Sequence, residues 1–201
     1  MIEIMEPVLR TIAFAVIAYL LGSIPFAILV TRAKVGVDVR GSGSGHAGAT
    51  NTMRAAGWVP GIIVLVADIG KGYLAVWLAA RFGGTEAAPT VAAACVVIGH
   101  CWPIFAGFRG GMGMASGAGA LLAVWPLGFV LALGLGSALQ LLIKHSAKGN
   151  IVTGILLMPL WALFGANGTQ LGVALAVGLV ISGRALSDWN RVYRELWFDR
   201  E

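Results

Sequence analysis

Residues with the means to do chemistry concentrate between Asp38 and Arg54, in the run DVRGSGSGHAGATNTMR. Gly41, Gly43, Gly45 and Gly48 alternate with Ser42, Ser44 and Thr50, and Asn51 follows. Small residues at that density let backbone N–H groups turn into one concavity, a shape that binds anions. Arg40 and Arg54 bracket the run, and a guanidinium forks onto two phosphate oxygens at once. The competing reading is a flexible Gly-rich connection. GATN leading to an arginine is too specific for a plain linker.

Three further places put polar chemistry into apolar sequence. Asp68 and Lys71 lie three apart in an apolar run, hence on one face of a helix. Ionisable groups inside a membrane span mark functional sites by default, and the structural alternative is a mutually neutralising pair that holds helices together. His100 ends another apolar run, either as a functional imidazole or as a hydrogen-bonded packing residue. Arg109-Gly110-Gly111-Met112-Gly113 is a second Gly-rich turn. It either wraps a phosphate through its N–H groups or makes a small-residue helix contact. Ser44, Asn51 and Ser116 are candidate donors, although lone Ser and Asn residues also satisfy backbone groups. No Ser-His-Asp order, metal-ligand cluster or obvious acidic base stands out.

These residues must be positioned by membrane helices. The chain has 201 residues, 58% hydrophobic and 11% charged, against about 25% charged in soluble domains. The net charge of +5 marks a cytoplasmic face rather than nucleic-acid binding. Cys95 and Cys101 read as small buried hydrophobes, not a disulfide or metal site. The first apolar run is long enough to span and is expected to be retained rather than cleaved. Spans are expected at 7–31, 57–80, 88–106, 114–124, 126–143, 150–165 and 169–186. The split at Trp125-Pro126 rests on length, because about 20 residues cross a bilayer. It also brings the basic loop Lys144–Lys148 to the side of Arg32, Arg54 and Arg109. The fold class is therefore an all-α integral membrane bundle of about seven transmembrane helices in one domain, N-terminus outside and C-terminus cytoplasmic. The tail from Ser187 is expected to be interfacial.

In this order the motifs resemble a known family. DVRGSGSGHAGATNTMR resembles the first signature of the bacterial acyl-phosphate:glycerol-3-phosphate acyltransferases, the PlsY family. ADIGKG resembles its Asp-x-x-Lys-Gly, and GHCWPIFAGFRGGMGMAS its second signature. The resemblance covers the chain to about Leu122, and the later spans match in hydropathy only. It implies transfer of a fatty acyl group from acyl phosphate to the 1-hydroxyl of glycerol 3-phosphate, giving lysophosphatidate, at the cytoplasmic face of the bacterial inner membrane. It implies Ser44, Arg54, His100 and Asn190 as the catalytic set. The implied substrate-binding set is Arg40, Gly43, Gly45, Gly48, Thr50, Asn51, Asp68, Lys71, Arg109, Gly110, Gly111, Gly113 and Ser116. No metal and no cofactor are implied. The partners are the two phosphate substrates and membrane lipid, not nucleic acid, and a monomer is the expectation.

The chain departs from the family pattern at named positions. Met112 stands where a second Lys is usual, Arg109 replaces the first Lys, His46 stands where Asn is common, and Asn150 where Ser is. Near the C-terminus Ser187 occupies a His position and Tyr193 an Arg position, while Asn190 matches. Met112 and Ser187 leave open a catalytically impaired paralogue that binds glycerol phosphate or lipid phosphate. A transporter of a phosphorylated solute is a second alternative, but neither inverted repeats nor paired broken helices are evident. An acyltransferase with another acceptor is a third.

Overall fold

The computed structural model describes residues 2–191, with side chains from Met5 onward. Nine α-helices account for most of it: α1 Ile2–Gly22, α2 Phe26–Val35, α3 Ala49–Ala56, α4 Trp58–Phe82, α5 Ala88–Cys101, α6 Met114–Val124, α7 Pro126–Ile143, α8 Ser146–Leu163 and α9 Gly168–Leu186. Six stretches are long and apolar enough to cross a membrane, the first being the combined run Met5–Val35. α6 is a shorter apolar helix. Its 11 residues reach about 16 Å, roughly half of a hydrocarbon core.

Close approach of glycine faces organises the bundle. A methyl on Gly72 of α4 would sit 2.0 Å from the Ser116 carbonyl oxygen, and one on Gly119 of α6 would sit 1.9 Å from that of Ile69. The same reciprocity joins α1 to α5 through Gly22 and Gly99, and α8 to α9 through Gly154 and Gly178. Without a hydrophobic drive between helices in lipid, such small-residue contacts supply the packing. The core is correspondingly small-chained: Ala92, Ala93, Val96 and Val97 of α5 and Val173 and Val177 of α9 are fully buried. Val16, Val59, Val66, Val130 and Leu179 face outward, as a lipid-facing belt requires.

The expected boundaries shift at three places. The first span is two helices, because Pro25 supplies no N–H and its own carbonyl then accepts from Ile28 and Leu29 to start α2. The third span ends as helix at Cys101 and continues as a 3₁₀ turn over Ile104–Ala106. The expected basic loop shrinks to Lys144 and His145: the His145 ring accepts from the Lys148 N–H and caps α8, so Lys148 and Asn150 are helical. The break at Trp125 falls where expected, and Trp125 packs edge-on against Trp161, ring centres 5.1 Å apart. Cys95 and Cys101 are free thiols. Tyr193 and the rest of the tail lie outside the described residues.

Candidate active site

The first Gly-rich loop is built around Asn51. Its Nδ2 donates to the carbonyls of Val39, Ser42 and His46 at 2.8, 3.0 and 3.0 Å. Its Oδ1 accepts from the Ser44 N–H at 3.3 Å. Gly43 and Gly45 adopt left-handed backbone conformations, and a Cβ on Gly43 would meet Asn51 Oδ1 at 2.3 Å. Asn51 is thus the hub that shapes the loop. Asn51→Ala should cost about 1–3 kcal/mol, the price of orphaned buried carbonyls, and expose residues 42–47 to limited proteolysis. Unchanged protease resistance would remove it as the hub.

The two bracketing arginines part company. Arg40 grips Asp38 through Nε at 3.1 Å and Nη2 at 2.9 Å, and its Nη1 donates to the carbonyls of Ala106 and Arg109. The Arg40 hydrogen bond holds the Asp38 carboxyl well below the usual range. Arg40 therefore staples the first loop to the second Gly-rich turn. Arg54, in the last turn of α3, makes no ion pair among the described residues and lines a cavity of about 900 Å³.

That cavity joins two chemistries. At one end lie Ser44, His46, Gly48, Thr50, Asn51 and Arg54; deeper walls are Leu65, Phe129, Leu133, Leu157 and Val177. Gly48 caps α3 without a side chain and Gly113 caps α6 likewise, so both helices present first-turn N–H groups there. Helix N-termini of this kind bind phosphate.

The second turn works differently from the expectation. Gly110 N–H donates to Cys101 O at 3.2 Å and Gly111 N–H to His100 O at 3.1 Å, so neither is open to an anion. Glycine is required there for contact: a Cβ on Gly110 would lie 2.0 Å from His100 O. Arg109 is exposed and absent from the cavity wall, and Ser116 Oγ is turned to Gly113 O. Gly43 and Gly45 shape the loop without lining the cavity, whereas Gly113 and Met112 line it. Asn190 is exposed and away from the wall.

Asp68, Lys71 and His100 meet in the bundle interior, all buried. Lys71 Nζ is 2.7 Å from Asp68 Oδ1 and 3.0 Å from Ile24 O, the carbonyl just before the break at Pro25, which also accepts from the Phe26 N–H. His100 Nδ1 stands 3.4 Å from the same Asp68 oxygen. Asp68 and His100 reach the large cavity; Lys71 does not.

Sequence reading missed the contribution of α9. Asp188 Oδ2 lies 2.7 Å from His46 Nε2, and Arg191 Nη1 3.3 Å from Asp188 Oδ1. Arg191 also donates to Ser44 O, and Arg184 Nε to Gly111 O at 3.2 Å. The i, i+4 spacing of Arg184 and Asp188 was the visible signal. Gln140 and Asn150, bonded at 2.6 Å, add a polar patch to the cavity wall. Among the described residues no three His, Cys, Asp or Glu side chains converge as metal ligands would.

Comparison with known proteins agrees with this geometry. A family model described as glycerol-3-phosphate acyltransferase matches residues 12–195. A glycerol-3-phosphate acyltransferase of Laribacter hongkongensis is 39% identical over 180 residues, covering 88% of this chain and 89% of that protein. One of Desulforamulus reducens is 40% identical over 160 residues, covering 79% and 80%. The crystal structure of PlsY, an integral membrane glycerol 3-phosphate acyltransferase, in its glycerol 3-phosphate form superposes with a TM-score of 0.78 at 31% identity, covering 90% of each chain. Its lysophosphatidic acid form gives 0.76 at 30%, again over 90% of each chain. A family match over nearly the whole chain, relatives at about 40% identity and a shared fold agree, and this chain belongs to the glycerol-3-phosphate acyltransferase family.

Proposed function

We propose that this chain transfers a fatty acyl group from acyl phosphate to the 1-hydroxyl of sn-glycerol 3-phosphate, releasing lysophosphatidate and phosphate. One observation carries the reading: a single cavity has two open helix N-termini and an uncommitted Arg54 at one end and apolar walls at the other. Phosphate groups fit the first and an acyl chain the second. Acyl phosphate is already activated, so the hydroxyl attacks the carbonyl directly. Positioning and charge stabilisation are then the main catalytic contributions.

The site faces the cytoplasm of a bacterial inner membrane in this reading, with seven crossings and the N-terminus outside. Support comes from the clustering of cations. The contacts of Arg40 with Ala106, of Arg191 with Ser44 and of Lys148 with the Trp189 ring gather the basic segments at one end of the bundle.

The test is lysophosphatidate formation by the purified chain from palmitoyl phosphate and glycerol 3-phosphate, with palmitoyl-CoA as the comparison donor. Product from acyl phosphate alone is the expected result; product from the thioester alone sinks the donor assignment. Met112, on the cavity wall, favours one rival, a binding paralogue that lacks a cation there. Met112→Lys should raise kcat/KM for glycerol 3-phosphate by about tenfold or more, the worth of one charge-assisted contact. A silent native chain revived by Met112→Lys would establish the paralogue.

A further inference from the structure

We propose that Phe129 of α7, seated on the Trp125–Trp161 pair, sets the length of acyl chain that the cavity takes, and that the fitting donors carry about 14 to 16 carbons. This rests on the acyltransferase reading above and adds to it which chains are used. The apolar part of the cavity runs lengthwise along two helices. On α7 its wall is Phe129, Ala132, Leu133, Gly136, Ser137 and Gln140, a stripe at helical spacing. On α8 it is Ser146, Asn150, Thr153, Gly154 and Leu157. Small residues in the middle of both stripes leave the space. A polar rim marks one end, where Gln140 Nε2 donates to Ser146 O at 3.2 Å and to Asn150 Oδ1 at 2.6 Å.

The two helices give the depth independently. Gln140 is eleven residues from Phe129 and Ser146 is eleven from Leu157, so at about 1.5 Å per residue each wall runs about 17 Å. An extended chain with C–C bonds near 1.5 Å advances about 1.3 Å per methylene, so about 13 carbons span that distance. The carbonyl and its nearest neighbours at the rim bring the total to about 14 to 16.

The far end is closed. On α6, α7, α8 and α9 the lining residues farthest from the polar rim are Leu121, Phe129, Leu157 and Val177. One helical turn beyond them lies tryptophan. Trp125 is four residues after Leu121 and four before Phe129, and Trp161 is four after Leu157. Neither indole lines the cavity. Trp161 is fully buried, and its Nε1 donates to Gly128 O at 3.0 Å. A methyl on Gly128 would sit 2.4 Å from the Trp161 ring, so the floor has no slack.

Acyl chains arrive from lipid, so a methylene entering the cavity gains little hydrophobic free energy and shape discriminates instead. A chain too long for the space presses on Phe129, and overpacking of that kind is worth about fivefold or more in rate. Gly136 gives the complementary handle. It is buried, and the nearest atom to a Cβ there would be Thr153 Cγ2 at 3.7 Å, an ordinary contact. A side chain at this position therefore enters the cavity about 6 Å from the rim without displacing a helix.

The experiment measures kcat/KM of full-length wild type, Phe129→Ala and Gly136→Leu in lipid nanodiscs, with glycerol 3-phosphate and a donor series from decanoyl to arachidoyl phosphate. Dividing each variant's profile by that of the wild type cancels the partition of each donor into lipid. Wild type should prefer myristoyl and palmitoyl phosphate over arachidoyl phosphate by about fivefold or more. Phe129→Ala should raise arachidoyl relative to palmitoyl phosphate by about that factor. Gly136→Leu should lower palmitoyl relative to decanoyl phosphate by at least as much, and Gly136→Ala should move the same way by less. Damage to the fold lowers every donor by one factor and does not move two optima in opposite directions. Equal use of palmitoyl and arachidoyl phosphate by wild type, or variant profiles parallel to it, overturns the ruler and lets the chain leave past the exposed Leu133. A wild type that turns over no donor overturns the acyltransferase reading itself. Thermal protection by lysophosphatidates of the same chain lengths then reads the cavity directly. A maximum at myristoyl or palmitoyl that Phe129→Ala moves to longer chains keeps the ruler, and protection independent of length overturns it too.

Discussion

Arg54→Ala is expected to lower kcat/KM for glycerol 3-phosphate by about 10- to 150-fold while leaving the unfolding midpoint nearly unchanged. The magnitude is that of one charge-assisted hydrogen bond, about 1.5–3 kcal/mol, converted at 1.36 kcal/mol per decade. The absence of a stability effect follows from geometry. Among the described residues Arg54 makes no hydrogen bond or ion pair, so its removal orphans nothing. Arg40→Ala is the informative contrast. That guanidinium holds Asp38 and two carbonyls of the second turn, so midpoint and activity should fall together. Steady-state kinetics with thermal unfolding in the same detergent separates the two. Unchanged kinetics in Arg54→Ala would take it out of the site.

The largest stability effect is expected from Asp68→Ala. Removing the carboxylate leaves the Lys71 ammonium buried with only the Ile24 carbonyl and the face of Phe26, 5.6 Å from Nζ. Breaking one side of a buried pair costs about 3–5 kcal/mol. Asp68→Leu with Lys71→Met removes both charges and should recover most of that, short of the contribution lost at Ile24 O. Activity of the double variant then decides between two roles. A stable, active protein makes the pair a brace for the break at Pro25. A stable, inactive one shows that Asp68 acts through His100, which stands against it at the cavity wall. A single variant as stable as the wild type would refute the buried-pair account.

The α9 end also gives the departures from the signature pattern a spatial meaning. Ser187 stands where the resemblance has histidine, yet an imidazole is present beside the next residue, supplied by His46 from the facing loop. Likewise Arg184 and Arg191 reach the two Gly-rich segments from positions that no motif spacing marks.

What the sequence determined by itself was local. Apolar run length marked where the helices lie, six of the stretches being long enough to cross a membrane, and Trp125-Pro126 marked the division between α6 and α7, because hydropathy and a missing N–H act within a few residues. Residues of both Gly-rich signatures line the large cavity. Tertiary structure alone decided which groups face the cavity. Arg40 and Arg54 look equivalent in the sequence, but one meets Asp38 and the carbonyls of Ala106 and Arg109, and the other meets open space. Gly110 and Gly111 read as phosphate-wrapping, until the end of α5 arrives to accept their N–H groups. His46 acquires its carboxylate only when the glycine contacts that bind α8 to α9 have set the height at which α9 ends. Such pairings depend on which helix end lies opposite, a property of the packed bundle that no local pattern encodes.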